Sequence, residues 1–331
     1  MSAPVDRVQS AVEQVLAHLR GIEPTGDAPG ALDPAQLASL SAEFVAAGTV
    51  AVSRVLQPER WIEASLSLEP LEPSWVSLML GELPAQLISW VEQERVRCMY
   101  FMNKPPGLRL RLLGVVDELM PQLRTALEEQ VSRGVVARFD VGPYDDEVAQ
   151  FGGPVGMALA HEFFTRESML VLEHHRLRLT EEVGLPALDL SLVALDMLLR
   201  LVTDDDWELW DVWTKLSMTG RLPAKLSLEP DDPEVARALA LRPRVMSLLR
   251  DEGRALACAG PRQALALRRY GEGLPALAEA LRRARCEGEL AWGLRDILPF
   301  WIIFHWNRMG FDLLRQQQLA LLMAVVLNPK L

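Results

Sequence analysis

The stretch Leu108 to Leu113 reads Leu-Arg-Leu-Arg-Leu-Leu, and it constrains the fold more than any other part of the chain. A period of two places Leu108, Leu110 and Leu112 on one face of a strand and Arg109 and Arg111 on the other. Such a strand must bury its leucine face, so it has to sit in a sheet that is covered on one side. A partner precedes it. Val96 to Met102 is β-prone, and the breaker Asn-Lys-Pro-Pro-Gly at 103–107 joins the two as a hairpin with a longish loop. Another alternation starts at Trp61, where Ile62, Ala64, Leu66 and Leu68 interleave with Glu63, Ser65, Ser67 and Glu69. Val135 to Asp140 supplies a short fourth strand.

Helical periods surround these strands. Val8, Val12, Val15, Leu16 and Leu19 predict a helix over Asp6 to Arg20, and Gly21 to Asp33 then breaks it with Pro24, Gly26, Pro29 and Gly30. Asp33 before Pro34 marks the start of a second helix running to about Val55. Pro73 to Glu94 predicts a helix kinked at Pro84, and Val115 to Ser132 another. Beyond Gly153 nearly every segment is helical, punctuated at 204–206, 230–233, 260–261 and 271–275. The expected fold is α+β: a small mixed or antiparallel sheet in the N-terminal half, packed by helices, and a mostly helical C-terminal half. Residues 1–57 read as a helical appendage and 58–331 as the main domain.

The charge balance narrows the function. The chain has 331 residues and a net charge of −11, which opposes coating of nucleic acid or an anionic membrane. Its longest apolar runs, Ile297 to Phe304 and Leu319 to Leu327, are about half of the roughly 20 residues that span a bilayer. The start, Met-Ser-Ala-Pro-Val-Asp, has no signal-peptide pattern, so a cytoplasmic location is expected. Cys98, Cys258 and Cys286 fit neither a disulfide framework nor a zinc knuckle and read as reduced, mostly buried thiols.

Several residue groups can carry chemistry. Arg109 and Arg111, about 7 Å apart on one strand face, form either a clamp for carboxylate or carbonyl oxygens or a solvated face. Tyr144, Asp145, Asp146, Glu147 and Gln150 precede Gly152, Gly153 and Pro154, where a helix start offers free N–H groups to an oxyanion, or is an ordinary turn. His161 and Glu162 begin a zinc-protease-like string, but Thr165 stands where the second histidine is needed, so no metal is expected. His174 and His175 read as surface or partner residues, and Trp207, Trp210 and Trp213 as a core stripe. Trp301, His305, Arg308 and Asp312 fall at i, i+4, i+7 and i+11, a single helical stripe holding an aromatic, a base, a cation and a carboxylate, with Asn307 pointing elsewhere. Between Arg242 and Arg285 there are ten arginines, no lysines and four acids, so this stretch carries +6 while the remainder carries −17.

The order of four strings carries a resemblance. YFMNKPPGLRLRLLG, RFDVGPYDDEVAQFGGPVGM, FFTRES and FHWNRMGFD resemble, in sequence, the elimination domain at the C-terminal end of class I lanthipeptide dehydratases, a domain that also occurs free-standing in thiopeptide biosynthesis. The resemblance runs from about Trp61 to Leu331. Elimination domains have a His before Leu-Arg-Leu-Arg, where this chain has Gly107, and an Arg in the loop, where it has Gln150. Their Phe-His-x-Asp-Ser string appears as Phe164, Thr165, Arg166, Glu167 and Ser168. Loss of a cation puts simple glutamate elimination in doubt, and the chain looks like the pyridine-synthase branch of the family.

That resemblance implies an enzyme without cofactor, acting on a modified precursor peptide. Two dehydroalanines of a thiazole-bearing core are joined by a formal aza-[4+2] cycloaddition, with loss of water and of the leader, to give a pyridine-centred macrocycle. The implied roles are His305 as proton shuttle, Tyr144 and Glu147 polarising the reacting amide, and Arg109 and Arg111 holding carbonyl oxygens. Gln150, Trp301, Trp306, Arg308 and Ser168 would contact the substrate, the tryptophans by stacking on thiazoles. Arg268, Arg269, Arg282 and Arg283 would dock an acidic leader or else pair with the acidic runs at 204–206 and 229–234. A glutamate elimination lyase and a non-catalytic leader-binding scaffold are the alternatives.

Overall fold

Strict alternation at 108–113 does produce a strand with one buried face. In the computed structural model, which describes residues 4–22, 32–56, 59–180, 184–222, 229, 231–250 and 252–330, the chain divides into two compact units, residues 1–60 and 61–331. The first unit contains α1 (Pro4–Leu19) and α2 (Pro34–Leu56), which pack against each other. Asp33 starts α2 as expected, its Oδ1 accepting from the Ala35 and Gln36 N–H groups. The loop expected around Pro24, Gly26, Pro29 and Gly30 lies outside the described residues, as does Pro230.

The sheet has the order β2-β3-β1-β4, formed by β1 (Glu59–Ser67), β2 (Val96–Lys104), β3 (Gly107–Val115) and β4 (Arg138–Pro143). β2 and β3 pair antiparallel, as do β1 and β4. The hairpin turn is only Pro105 and Pro106, tighter than the expected loop, because both strands extend further than their apolar cores suggest. Chain reversal is that close because Gly107 lies against β1: a Cβ there would overlap the Leu66 carbonyl oxygen. The helix expected from Pro73 to Glu94 is two, α3 (Leu71–Leu80) and α4 (Leu83–Glu92), with Pro84 in the first turn of the second. α5 (Val116–Ser132) separates β3 from β4.

The remainder is helical: α6 (Pro154–Leu179), α7 (Ala187–Val202), α8 (Asp206–Lys215), α9 (Pro233–Leu249), α10 (Glu252–Cys258), α11 (Pro261–Glu272), α12 (Leu274–Cys286), α13 (Leu294–Arg308) and α14 (Leu313–Val326). The chain is therefore α+β, with a small four-stranded sheet early and a helical second half. No described helix is long and apolar enough to cross a membrane.

α6 runs through the middle and contacts β2, α3, α11, α12 and α13. Edge strand β2 has outward N–H groups to satisfy, and Thr165 of α6 takes the one from Met99 at 3.0 Å. On its covered faces α6 has to pair the polar side chains it carries. Glu167, fully buried, does this most heavily: it binds the Arg308 guanidinium, and its Oε1 lies 2.6 Å from His305 Nδ1. His305 Nε2 meets Ser191 Oγ of α7 at 2.8 Å. His175 Nε2 donates to the Arg308 carbonyl at 3.1 Å, and Asn103 Nδ2 donates to the Asn307 and Arg308 carbonyls, which closes the C-terminal end of α13.

Four expectations are corrected here. α13 stops at Arg308, before Gly310 at φ +74, so Asp312 leaves the supposed stripe and instead caps α14 through the Arg315 N–H. His174 and His175 are buried: they lie on the inner faces of α6, whose outer stripe at that level is Glu173, Arg176 and Arg178. Cys258 and Cys286 are exposed and Cys98 half-buried. The tryptophans at 207, 210 and 213 grade from exposed through half-buried to fully buried, so only Trp213 belongs to the core proper.

Replacing Glu167 by Ala would leave Arg308 buried without its counter-charge, at an expected cost of about 3–5 kcal/mol. Urea unfolding of Glu167→Ala measures this, and a loss below about 1 kcal/mol would show that Arg308 finds another partner.

Candidate active site

The arginine face of β3 points toward the first turns of α6, and β2 contributes Tyr100 directly opposite Arg111. The two arginines do form a clamp, but it closes on the chain itself. Arg111 Nε lies 2.7 Å from Glu63 Oε2 and Arg109 Nη1 3.3 Å from Glu63 Oε1. Glu63 sits on the polar side of the β1 alternation, and strand β1 lies next to β3. The second arm of Arg111 donates to the Tyr100 hydroxyl at 2.9 Å. Tyr100 and Tyr144 hydroxyls are 2.6 Å apart, and Tyr144 Oη is 3.4 Å from His161 Nε2.

Arg111 can only donate, so the Tyr100 oxygen accepts from it, and the Tyr100 hydroxyl in turn donates to Tyr144. That leaves the Tyr144 proton facing His161 Nε2. His161 is then the acceptor, with its own proton on Nδ1. Burial, and secondarily the charge of Arg111, lowers its pKa to about 4, so the imidazole is neutral near neutral pH. Burial also raises the pKa of both phenols, more for Tyr144, where neighbouring Tyr100 adds to the effect. Tyr144 therefore offers a hydrogen bond and keeps its proton, while His161 is the group able to take one.

His161 opens on a cavity of about 220 Å³. Trp61 of β1, Arg97 of β2, Asp146 and Val148 of the loop, and Met157 of α6 form the wall used here. The Trp61 ring lies 4.2 Å from the His161 ring and 5.3 Å from Tyr144, centroid to centroid, and the Arg111 guanidinium stands 4.5 Å over Tyr144. Among the described residues, no three His, Cys, Asp or Glu side chains are grouped to hold a metal ion.

The residues expected at a site separate into four places. Tyr144 and Arg111 belong to the cluster beside the cavity, with Arg109 on its half-exposed edge. Glu147 and Gln150 lie apart from it on the surface: Gln150 Nε2 donates to Glu147 at 2.7 Å, and Arg221 donates to Gln150 Oε1 at 2.9 Å. His305, Arg308, Ser168, Trp301 and Trp306 are all buried core residues. Trp301 stacks on Phe163 at 4.9 Å, both ring nitrogens of His305 are taken, and neither tryptophan presents a face to a thiazole. Arg268 and Arg283 are exposed, Arg269 reaches Glu92, Arg282 reaches Glu279, and of the acidic run at 204–206 only Arg285 finds a partner in Asp204 among these arginines.

The alternative left open at Gly152 and Gly153 resolves as the turn. Their N–H groups go to the Ala149 and Val148 carbonyls, so they are not offered to an oxyanion. The glycines serve the turn, at φ +83 and +96, and a Cβ on Gly152 would overlap Ile297. Glu63, Tyr100 and Trp61 are the cluster residues that sequence reasoning passed over, and it weighed His161 only as half of a zinc motif. The alternation at Trp61 already put Glu63 on the polar face, but the pairing of β1 with β3 is not local information.

His161, His174 and His175 all have pKa values lowered to about 4, chiefly by burial. Between the ordinary histidine value of about 6.5 and about 4 the unfolded chain binds more protons, so stability is complete above that window and falls as pH drops through it. The expected loss from pH 7 to 5 is on the order of 1–2 kcal/mol per histidine. Urea unfolding at both pH values checks this, and His161→Gln should narrow the difference; an unchanged difference would mean that His161 titrates normally.

Residues 61–326 match the family described as lantibiotic biosynthesis dehydratase, C-terminal. No curated protein matches the chain. Among solved structures, the tRNA-dependent lantibiotic dehydratase MibB from Microbispora sp. 107891 is similar at a TM-score of 0.58 and 19% identity; the match covers 80% of this chain and only 28% of that one. TsrL is similar at a TM-score of 0.50 and 17% identity, over 81% of this chain and 93% of that one. The pyridine synthase TbtD from thiomuracin biosynthesis gives 0.49 and 14%, over 81% and 97%. At these identities the likeness is one of fold. The family match itself takes in about four fifths of the residues, and the chain belongs to the lantibiotic biosynthesis dehydratase C-terminal family.

Proposed function

We propose that this chain is a pyridine synthase acting on a ribosomally made precursor peptide, with the reacting atoms held beside His161 and Tyr144. The observation that carries this reading is a steric one. Where elimination domains resembling this chain keep a histidine, position 107 can hold no side chain, because a Cβ would overlap Leu66 O. The loop position that resembles their arginine is Gln150, tied to Glu147 and Arg221. Receiving a departing glutamate carboxylate needs cations at those positions, whereas joining two neutral alkenes does not.

The proposed reaction asks for orientation and for proton movement. A cavity of about 220 Å³ is smaller than a typical small-molecule pocket of about 300–1,000 Å³, so it would enclose the reacting carbons and leave the rest of the peptide outside. Holding two alkenes at attack distance contributes roughly 7–11 kcal/mol in well-oriented cases. His161, neutral and backed by Tyr144, replaces His305 as the proton-transfer group: it relays the N–H proton to the carbonyl oxygen as the amide becomes an iminol, and after ring closure it carries a ring C–H proton to the hydroxyl, which leaves as water. Such acid–base help is worth about 10²–10⁴ in rate. Arg111 acts through Tyr100 and Tyr144 as a positioning residue.

Incubation with a dehydrated, thiazole-bearing precursor followed by mass spectrometry is the direct test. The expected product has lost water and the leader as its carboxamide, and His161→Gln should slow its formation about 10²-fold or more while the protein stays folded. Release of glutamate from a glutamylated peptide, leaving an uncyclised chain, would overturn the reading in favour of a lyase.

A further inference from the structure

A second cleft, of about 560 Å³, opens where the C-terminal end of α6, the start of α7 and the turn from α13 into α14 come together. Each of the three helices that reach it brings donors. α6 contributes His174 and, one helical turn on, Arg178; α14 contributes Arg315; and α7 begins there with Ala187 and Leu188. Pro186 precedes α7 and no side chain caps it, so its first N–H groups, ahead of Leu190, are left open among the described residues.

His174 gives a second and separate reason to expect a ligand. Leu185 N–H donates to Gln263 Oε1 at 2.8 Å, which orients the Gln263 amide and turns its Nε2 to the Leu185 carbonyl at 3.1 Å and to His174 Nδ1 at 3.2 Å. An amide nitrogen can only donate, so Nδ1 accepts and the imidazole proton sits on Nε2. The ring is 1% exposed, and no described group accepts from that Nε2–H. Buried donors are seldom left this way, because an unmade hydrogen bond is costly where water cannot replace it. Burial chiefly lowers the His174 pKa to about 4, so the ring is neutral near neutral pH and this one proton is what it offers.

The charge at the cleft matches. Arg178 and Arg315 are exposed and hold no ion pair among the described residues. Asp312 is the one acid in the lining, and its Oδ1 is turned to the Arg315 N–H. In a chain of net charge −11, two guanidiniums, a helix start and a buried N–H thus face one space, and each of them favours an anion. The volume falls among those of small-molecule sites, about 300–1,000 Å³, and Leu188 and Phe311 in the lining offer nothing to a bare inorganic ion.

We propose that this cleft binds a small organic carboxylate, its oxygens held by Arg178, Arg315, the His174 Nε2–H and the open N–H groups of α7, and its apolar body seated on Leu188 and Phe311. The site is distinct from the His161 cavity, with which it shares no lining residue. Along α6, His174 lies roughly 20 Å from His161 at about 1.5 Å per residue. The binding therefore stands apart from the reaction proposed above.

Imidazole nitrogen NMR of the labelled protein tests this by titration with isocaproate, its neutral amide, N-acetylleucine and inorganic phosphate. The His174 Nε2 signal, identified by comparison with His174→Gln, should move saturably with isocaproate while those of His161 and His305 stay in place. The amide and phosphate should each bind at least about tenfold more weakly. Arg178→Gln with Arg315→Gln should weaken isocaproate binding about tenfold or more, whereas Arg124→Gln with Arg133→Gln at α5, outside the cleft, should change it less than about twofold. N-acetylleucine, which mimics a peptide C-terminus, separates the sources: tighter binding than isocaproate assigns the site to a peptide end, weaker binding to a free acid. No saturable shift of His174, equal binding of the amide, phosphate binding as tight as that of the acids, or equal loss in both double variants would overturn the proposal.

Discussion

A carboxylate with no access to water organises the helical half of the molecule. Glu167 sits on α6, binds Arg308 and faces His305 of α13, and through His305 reaches Ser191 of α7. Burial lowers the pKa of Arg308 and Glu167 opposes that shift, so each charge is tolerable only because the other is present. Three helices are thereby fixed in rotation as well as position, since turning any of them would strand a buried ion. Fixing α6 in turn fixes which of its residues face the sheet, His161 and Thr165 among them.

The sheet supplies the other half of the arrangement. Arg111 is an obligatory donor anchored on Glu63, and with Tyr100 donating to Tyr144 the hydroxyl protons run in one direction and end at His161 Nε2. Removing Glu63 would release Arg111 to swing and scramble that order, although no atom of Glu63 lines the cavity. The two ion pairs do different things: Glu167 and Arg308 hold the scaffold, and Glu63 and Arg111 anchor the run of hydroxyl protons. Both meet at α6, which carries Glu167 on one side and His161 on another.

What the sequence reveals follows from how local each feature is. The leucine alternation at 108–113 exposes β3 and its hairpin because a period of two needs no distant partner. Helix ends were partly legible: Asp33 and Asp312 both cap helices, yet the stripe from Trp301 to Asp312 ignores the Gly310 stop signal between them. His305 invited a catalytic role because Arg308 and Asp312 follow it at helical spacing, whereas Glu167 and Ser191, brought in from other helices, take both its ring nitrogens in the core. His161 gave the opposite impression, half of a failed zinc motif, since Tyr100 and Tyr144 lie 61 and 17 residues away and meet it only through folding. Likewise the +6 charge of residues 242–285 was visible, whereas the partners that folding gives two of its arginines, Glu173 for Arg262 and Asp204 for Arg285, were not.

The central claim is that the working histidine is the one at the cavity and that the one beside Glu167 is structural. Imidazole nitrogen NMR of the labelled protein at neutral pH, with and without a dehydrated thiazole-bearing peptide, tests it directly. His161 should show a neutral ring protonated at Nδ1, and its signals should move on addition of the peptide, while those of His305 stay in place. A charged His161, or a peptide-induced shift confined to His305, would contradict the account.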